Sequence, residues 1–229
     1  MISDHFDRIF IINMRRSFKR RAAALFQTGR LKMKNARLLE GIDGRFLDLE
    51  KMKAEGNLKW DDWKRRDLTH GEVGCYLSHV KALNMLVDQN LSRVLICEDD
   101  IIWRPDANEI ADSFMSEVPD DWDIINFHSA VGVGSGRQND IKRKMISAHV
   151  WKGCDEGQNS ACYAITVRGA RFLLDQAFPI RNALDGVTNK LTMPKWSAQY
   201  SGYVCRPFLC GLSNNPSEID MIADREGKW

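Results

Sequence analysis

The chain reads as an α/β protein, a sandwich with helices on both faces of a mixed, mostly parallel central sheet. Three observations predict this. Apolar runs of strand length alternate with stretches of helical periodicity, as βαβ units do. The runs at 8–14 and 93–97 are apolar almost throughout instead of alternating, which fits strands covered on both faces. Directly after the second run come Glu98, Asp99 and Asp100, at the carboxyl end of a strand, where open α/β sheets hold ligands.

Residues 8–14 form the first strand, with Asn13 near its end. The basic stretch 15–27, with Arg15, Arg16, Lys19, Arg20 and Arg21, reads as a helix stopped by Gly29. Arginines at a helix start beside a strand end suit a diphosphate, because charged donors and free N–H groups point the same way. The alternative is a basic amphipathic helix packed on the sheet. Residues 36–42 read as the second strand and Asp43-Gly44 as its turn; Asp43 could accept a hydrogen bond from a ribose or base, or simply serve the turn. Residues 48–66 read as a short helix and a long surface loop, in which Trp60 and Trp63 stack on a sugar or anchor the loop.

Thr69-His70-Gly71-Glu72 fits a capping box, the threonine capping a helix and the glutamate reaching back to the cap's N–H. Val73, Leu77, Val80, Leu83, Leu86 and Val87 then recur at helical spacing, which predicts a helix over 71–89. Gly74 within it costs about 1 kcal/mol against alanine and implies a close approach by another segment. Ser78 and His79 lie one turn on; a lone helix histidine is more often packed than catalytic. Past the acidic strand, Pro105-Asp106 break the chain. The rest reads as a helix at 110–118, a buried strand at 122–127, a glycine-rich loop at 130–139, a weak edge strand at 144–151, a clear strand at 161–167, a helix at 170–177 stopped by Pro179, and one more strand within 204–212. No internal boundary is evident, so residues 1–229 are expected to form a single domain.

An apolar fraction of 44% in 229 residues supplies a substantial core. A net charge of +2 argues for neither a nucleic-acid binder nor a highly acidic solubiliser, and no nucleic-acid partner is expected. No apolar run approaches a membrane span and no secretory signal opens the chain. Cys75, Cys97, Cys154, Cys162, Cys205 and Cys210 show no C-x-x-C spacing. These features predict a cytoplasmic, disulfide-free protein without structural zinc; a peripheral position at the cytoplasmic membrane stays open.

Mutual repulsion makes the acidic cluster costly unless something positive sits there. A hard divalent cation, Mg2+ or Mn2+, held by carboxylate oxygens with positions left for a phosphate, answers that need. Strand alternation turns Glu98 and Asp100 to one side and Asp99 to the other. A solvated acidic turn is the plainer alternative.

The segments Phe10-Ile11-Ile12-Asn13-Met14-Arg15-Arg16, Leu68 through His79, Val94 through Asp100, and Cys162-Tyr163-Ala164-Ile165 with Gly169-Ala170-Arg171-Phe172-Leu173-Leu174 occur in that order. The set resembles glycosyltransferase family 25, the lipooligosaccharide-biosynthesis transferases that include collagen galactosyltransferase domains. The run Thr69-x-Gly71-Glu72-x-Gly74-Cys75-x-Leu77-Ser78-His79 is its specific part. The resemblance implies a GT-A fold and metal-dependent, inverting transfer of galactose or a related sugar from a UDP-sugar to a glycan or glycolipid acceptor such as lipooligosaccharide. It makes Glu98 and Asp100 the metal ligands. Asn13, Arg15, Arg20 and Asp43 would lie along the nucleotide, with Ser78 and His79 near the ribose or donor sugar and Glu72 and Asp99 among the donor-binding residues. An inverting displacement needs a base for the acceptor hydroxyl; Asp185 is the candidate, with Asp155 and Glu156 as contenders. Two other readings stay open. One is a phospho-receiver signalling domain, which also gathers acids around Mg2+ at a strand end. The other is an inactive nucleotide- or glycan-binding protein.

Overall fold

The computed structural model describes residues 1–59, 67–128, 144–152, 160–184, 188 and 199–213. In chain order the strands are β1 (Arg8–Asn13), β2 (Ala36–Glu40), β3 (Arg93–Glu98), β4 (Ile101–Trp103), β5 (Ile124–Asn126), β6 (Lys144–Met145), β7 (Val150–Lys152), β8 (Cys162–Thr166), β9 (Gly202–Cys205) and β10 (Cys210–Leu212). The helices are α1 (Phe18–Arg30), α2 (Leu49–Ala54), α3 (His70–Asp88), α4 (Ala107–Glu117) and α5 (Val167–Asp175), with a 3-10 turn at Gly44–Phe46.

An eight-stranded sheet runs β2-β1-β3-β8-β5-β9-β7-β6, and β10 and β4 pair separately. The pairs β1–β2, β1–β3 and β5–β9 are parallel. The opposed strands are β8, between β3 and β5, and β7, between β9 and β6. The sheet is thus mixed, with most strands running one way, and the carboxyl ends of β1, β3 and β5 share one edge.

Both faces are covered, which explains the unbroken apolar runs. Ile9 and Ile11 of β1 and Leu95 and Cys97 of β3 pack with α4 residues Ala107, Ile110 and Phe114 and with Ala24 of α1. Phe10, Ile12, Val94 and Ile96 pack with Val73, Tyr76, Leu83 and Leu86 of α3 and with Ala170 and Leu173 of α5. This period-two alternation sends successive residues to opposite layers. Val94, Leu95 and Ile96 have no exposed surface, and each such side chain contributes about 1.5–3 kcal/mol by leaving water. Tyr76 ties the second layer together, its hydroxyl donating to the Ala177 carbonyl at 2.7 Å.

The elements depart from the sequence reading at several points. α1 begins three residues after Arg15 and runs through Gly29 to Arg30; the chain turns only at Lys32, in the left-handed region at φ 55°. Arg15 and Arg16 therefore sit in the loop before the helix. The edge strand expected at 144–151 is the hairpin β6–β7. The last strand expected at 204–212 is two, β9 and β10, with Pro207 between them. The capping box at Thr69 forms as the sequence predicts, with the Thr69 N–H donating to Glu72 Oε2 at 2.8 Å and the Glu72 N–H to Thr69 Oγ1 at 3.2 Å. Trp60, Trp63, the glycine-rich loop and Cys154 lie outside the described residues.

Candidate active site

A cleft of about 580 Å3, counting space open to solvent, lies where β1 and β3 end. Ile12, Met14, Ile42 and Gly44 give it an apolar side, Arg16 and Arg20 a cationic one, Gly71, Cys75, Ser78 and His79 of α3 a wall, and Glu98, Asp99 and Asp100 a floor. Close packing shapes the α3 wall. A Cβ on Gly44 would lie 1.9 Å from the His70 carbonyl oxygen, and one on Gly74 would lie 2.7 Å from the Ile42 carbonyl oxygen. The turn after β2 thus rests on the start of α3, which is the close approach that Gly74 implied. Ser78 fastens it, its hydroxyl donating to the Gly74 carbonyl and accepting from the Ile42 N–H, both at 2.7 Å.

The three acids have different surroundings. Asp99, 7% exposed, faces the α1 layer, where Asn13 Nδ2 donates to its Oδ2 at 2.5 Å and Arg20 Nη1 to its Oδ1 at 3.1 Å. Asn13 in turn accepts from Arg21 Nε at 2.9 Å. Glu98 faces α3, with Oε1 3.5 Å from His79 Nε2 and 3.9 Å from Cys75 Sγ. Burial pushes its carboxyl up, but His79, Arg20 and Cys75 outweigh that and hold it below the ordinary glutamate value. Asp100 is less well matched. Its Oδ2 lies 3.4 Å from Arg20 Nη1, while its buried Oδ1 accepts no hydrogen bond among the described residues. Burial first, then the charges of Glu98 and Asp99, raise its carboxyl to about 6 against the pull of Arg20. An acid cluster with one arginine across two of its members and an orphaned buried oxygen fits a bound divalent cation.

The remaining candidates divide between cleft and frame. Arg20 is in the cleft. Arg15 is exposed and does not line it; its carbonyl accepts from Arg21 Nη2 at 2.9 Å. Arg16 turns inward instead and pairs with Asp43, to which Arg45 also donates through Nη2 at 2.7 Å and Nε at 3.0 Å. Hydrogen bonds from the Arg45 side chain and backbone, with the Arg16 charge, lower Asp43 to about 2. Glu72 holds the helix cap. His79 has no exposed surface, stacks on Tyr163 at 5.7 Å and places Nδ1 3.1 Å from the Tyr163 hydroxyl. Asp185, Asp155 and Glu156 lie outside the described residues. The sequence marks Arg16 only as one of several arginines suited to a diphosphate, and it does not mark Cys75 as a cleft residue. Only the four-residue spacing of Cys75 and His79 on one helix face signalled the latter.

The acid-floored, arginine-lined cleft lies at the carboxyl edge of a mixed α/β sheet, the place where open α/β sheets hold ligands. The family follows from comparison. The profile of glycosyltransferase family 25 (LPS biosynthesis protein) matches residues 6–188, and the chain belongs to that family. A Bos taurus protein named probable inactive glycosyltransferase 25 family member 3 is 32% identical over 96% of this chain and 39% of its own length. Procollagen galactosyltransferase 1 of Danio rerio is 29% identical over 78% of this chain and 30% of its own length. The chain therefore spans well under half of these curated relatives. Among solved structures, it is similar to a glycosyltransferase involved in the glycosylation of the major capsid of PBCV-1, at a TM-score of 0.48 and 8% identity, covering 85% of this chain and 80% of that one. Among the described residues no helix is long and apolar enough to cross a membrane.

Proposed function

We propose that this chain is a GT-A-type, metal-dependent inverting glycosyltransferase. It moves a hexose, galactose or a close relative, from a UDP-sugar to a glycan acceptor of the lipooligosaccharide kind. The observation that carries this reading is the unmatched Asp100 beside Glu98 on the floor of a cleft that also presents arginines. Glu98 and Asp100 would hold Mn2+ or Mg2+, which when bound neutralises charge gathering on a diphosphate leaving group. Arg20, already bridging Asp99 and Asp100, is placed to share its guanidinium with a phosphate oxygen, and Arg16 would do so from the cleft rim. The apolar side formed by Ile12, Met14 and Ile42 suits a base or ribose face, with Asp43 beside it. Asn13 and Asp99 act by positioning: they lock the end of β1 to the end of β3, so the acids keep their spacing when a charged ligand arrives. The acceptor's proton goes to a carboxylate, for which Asp185 stays the candidate with Asp155 and Glu156 as contenders.

The test is binding and turnover measured together. UDP with Mn2+ should raise the melting temperature by several degrees, since a ligand that binds only the folded state stabilises it. UDP alone should do far less, and sugar release from a UDP-hexose should need the metal. An equal shift with and without metal sinks the metal role. The name of the Bos taurus relative favours a second reading, in which the donor binds and is not turned over. Metal-dependent UDP binding without any sugar release across a panel of UDP-hexoses would select it. A phospho-receiver has less support, because β1 and β2 precede the acidic strand β3 in the sheet.

A further inference from the structure

The part of the cleft nearest α3 carries donors unlike the carboxylates around them. Cys75 and His79 stand four residues apart on α3 and so share a helix face. Glu98 at the end of β3 meets that face. The Cys75 sulfur, a His79 ring nitrogen and a Glu98 oxygen all lie within 4.8 Å of one another. Two of the separations are 3.5 Å, His79 Nε2 to Glu98 Oε1, and 3.9 Å, Cys75 Sγ to the same oxygen. A tetrahedral zinc ion, with bonds of about 2.0–2.3 Å, places its ligand atoms roughly 3.3–3.8 Å apart. The three donors therefore stand within about 1 Å of that arrangement before any ion arrives.

His79 supplies the second observation. The residue is wholly buried, yet its Nε2 makes no hydrogen bond among the described residues. A buried nitrogen left so costs free energy unless something else satisfies it. Its other nitrogen lies 3.1 Å from the Tyr163 hydroxyl. An ion arriving at Nε2 displaces any proton there: the ring then keeps its proton on Nδ1, donated to that oxygen, and gives the Nε2 lone pair to the metal between Cys75 and Glu98. Metal-ligating histidines are commonly held this way, by a partner on the far nitrogen.

We infer that Cys75, His79 and Glu98 form a binding site for a borderline-soft divalent metal, Zn2+ foremost, with its fourth position open to the cleft. Thiolate and imidazole favour zinc over magnesium or manganese. On binding, the Cys75 S–H bond breaks, an S–Zn bond forms and the proton leaves to solvent. The site is exchangeable and not a structural one, because two of its ligands lie on a single helix turn and the third sits at the cleft floor. Its consequence rests on the proposed function: Glu98 also belongs to the acid pair for Mn2+ or Mg2+, so zinc withdraws that carboxylate and inhibits transfer.

Titration of the metal-stripped chain with Co2+ alone tests the site, read by absorption. A thiolate-to-cobalt charge-transfer band together with tetrahedral d–d bands is expected, bleached by added Zn2+. Cys75→Ser should abolish the charge-transfer band. His79→Gln should weaken cobalt binding by about tenfold or more, and Asp100→Asn should keep the band. Circular dichroism verifies that each variant is folded; if His79→Gln is not, Cys75→Ser decides alone, since serine keeps the size of the side chain. Absence of the band in the parent chain, or its persistence in Cys75→Ser, overturns the inference. No sugar donor is present, so this result is independent of the transferase reading, whose own failure appears only in the UDP-hexose assay.

Discussion

Two aspartates at opposite ends of the sheet's strands, one fully buried and one half-buried, show how a carboxylate that holds the fold differs from one that awaits a ligand. Asp123, just before β5, has no exposed surface and a full set of partners. Its Oδ1 accepts from Arg168 Nε at 2.7 Å and Thr166 Oγ1 at 3.3 Å, and its Oδ2 from Arg168 Nη2 at 2.8 Å and the Ser201 N–H at 2.9 Å. Asp100, just after β3, has one distant arginine, an orphaned oxygen and two acidic neighbours. A fold can afford one such unsatisfied carboxylate where a ligand completes it; it gains nothing from it otherwise. Both ends of the strands carry charge, and of these two aspartates it is the one at the carboxyl end whose charge is left unfinished.

The contrast can be broken or sharpened by mutation. The largest expected effect is from Asp123→Ala, which strips acceptors from a buried N–H and should lower unfolding free energy by about 2–4 kcal/mol in urea titrations. A loss as small as that of a surface residue would show that the network is ornamental. Next, Asp100→Asn removes charge from a crowded cluster. Metal-free stability should stay level or rise, while metal-dependent sugar release falls about 100-fold or more, equivalent to roughly 2.7 kcal/mol of barrier. A destabilised Asp100→Asn would erase the distinction between the two aspartates. Asp43→Asn tests a third carboxylate, satisfied but near the cleft. Its folded-state value near 2 lies below the ordinary aspartate value of 3.8. The stabilisation is therefore present above about pH 4 and fades as pH falls toward 2. The variant should lose about 1–2 kcal/mol at pH 7, allowing for partial exposure of the arginines, and the difference should halve or better near pH 2 and vanish only below it. Last, Asp106→Ala, whose exposed carboxylate meets Arg104 at 2.8 Å, should leave the melting temperature unchanged within error.

Much of this was legible in the sequence where local rules act. The capping box is a short-range pattern and formed at the residues that spell it. The apolar run 94–97 announced a strand buried on two faces, and the acids after it fell at the sheet edge. Legibility failed where phase is lost. Between β1 and α1 the chain turns through Met14 to Ser17, so neither strand nor helix periodicity tells that Arg16 faces inward and Arg15 outward. Cys75 reads as a small hydrophobe among Val73, Tyr76 and Leu77; only the tertiary arrival of Glu98 makes it a cleft residue. The role of Asp99 was hidden for the same reason, since its partner Asn13 is far away in sequence. β8 could be recognised as a strand, but its direction could not, because pairing direction depends on the route of the chain between elements.

That direction matters for any attempt to shorten the protein. β8 supplies the hydrogen-bonding partner for both β3 and β5, in register from Arg93 opposite Thr166 to Cys97 opposite Cys162. A fragment ending before Cys162 would leave Val94 to Cys97 as a bare apolar border with open N–H and C=O groups, a template for other chains. Such a fragment should precipitate or polymerise instead of surviving as a minimal donor-binding unit.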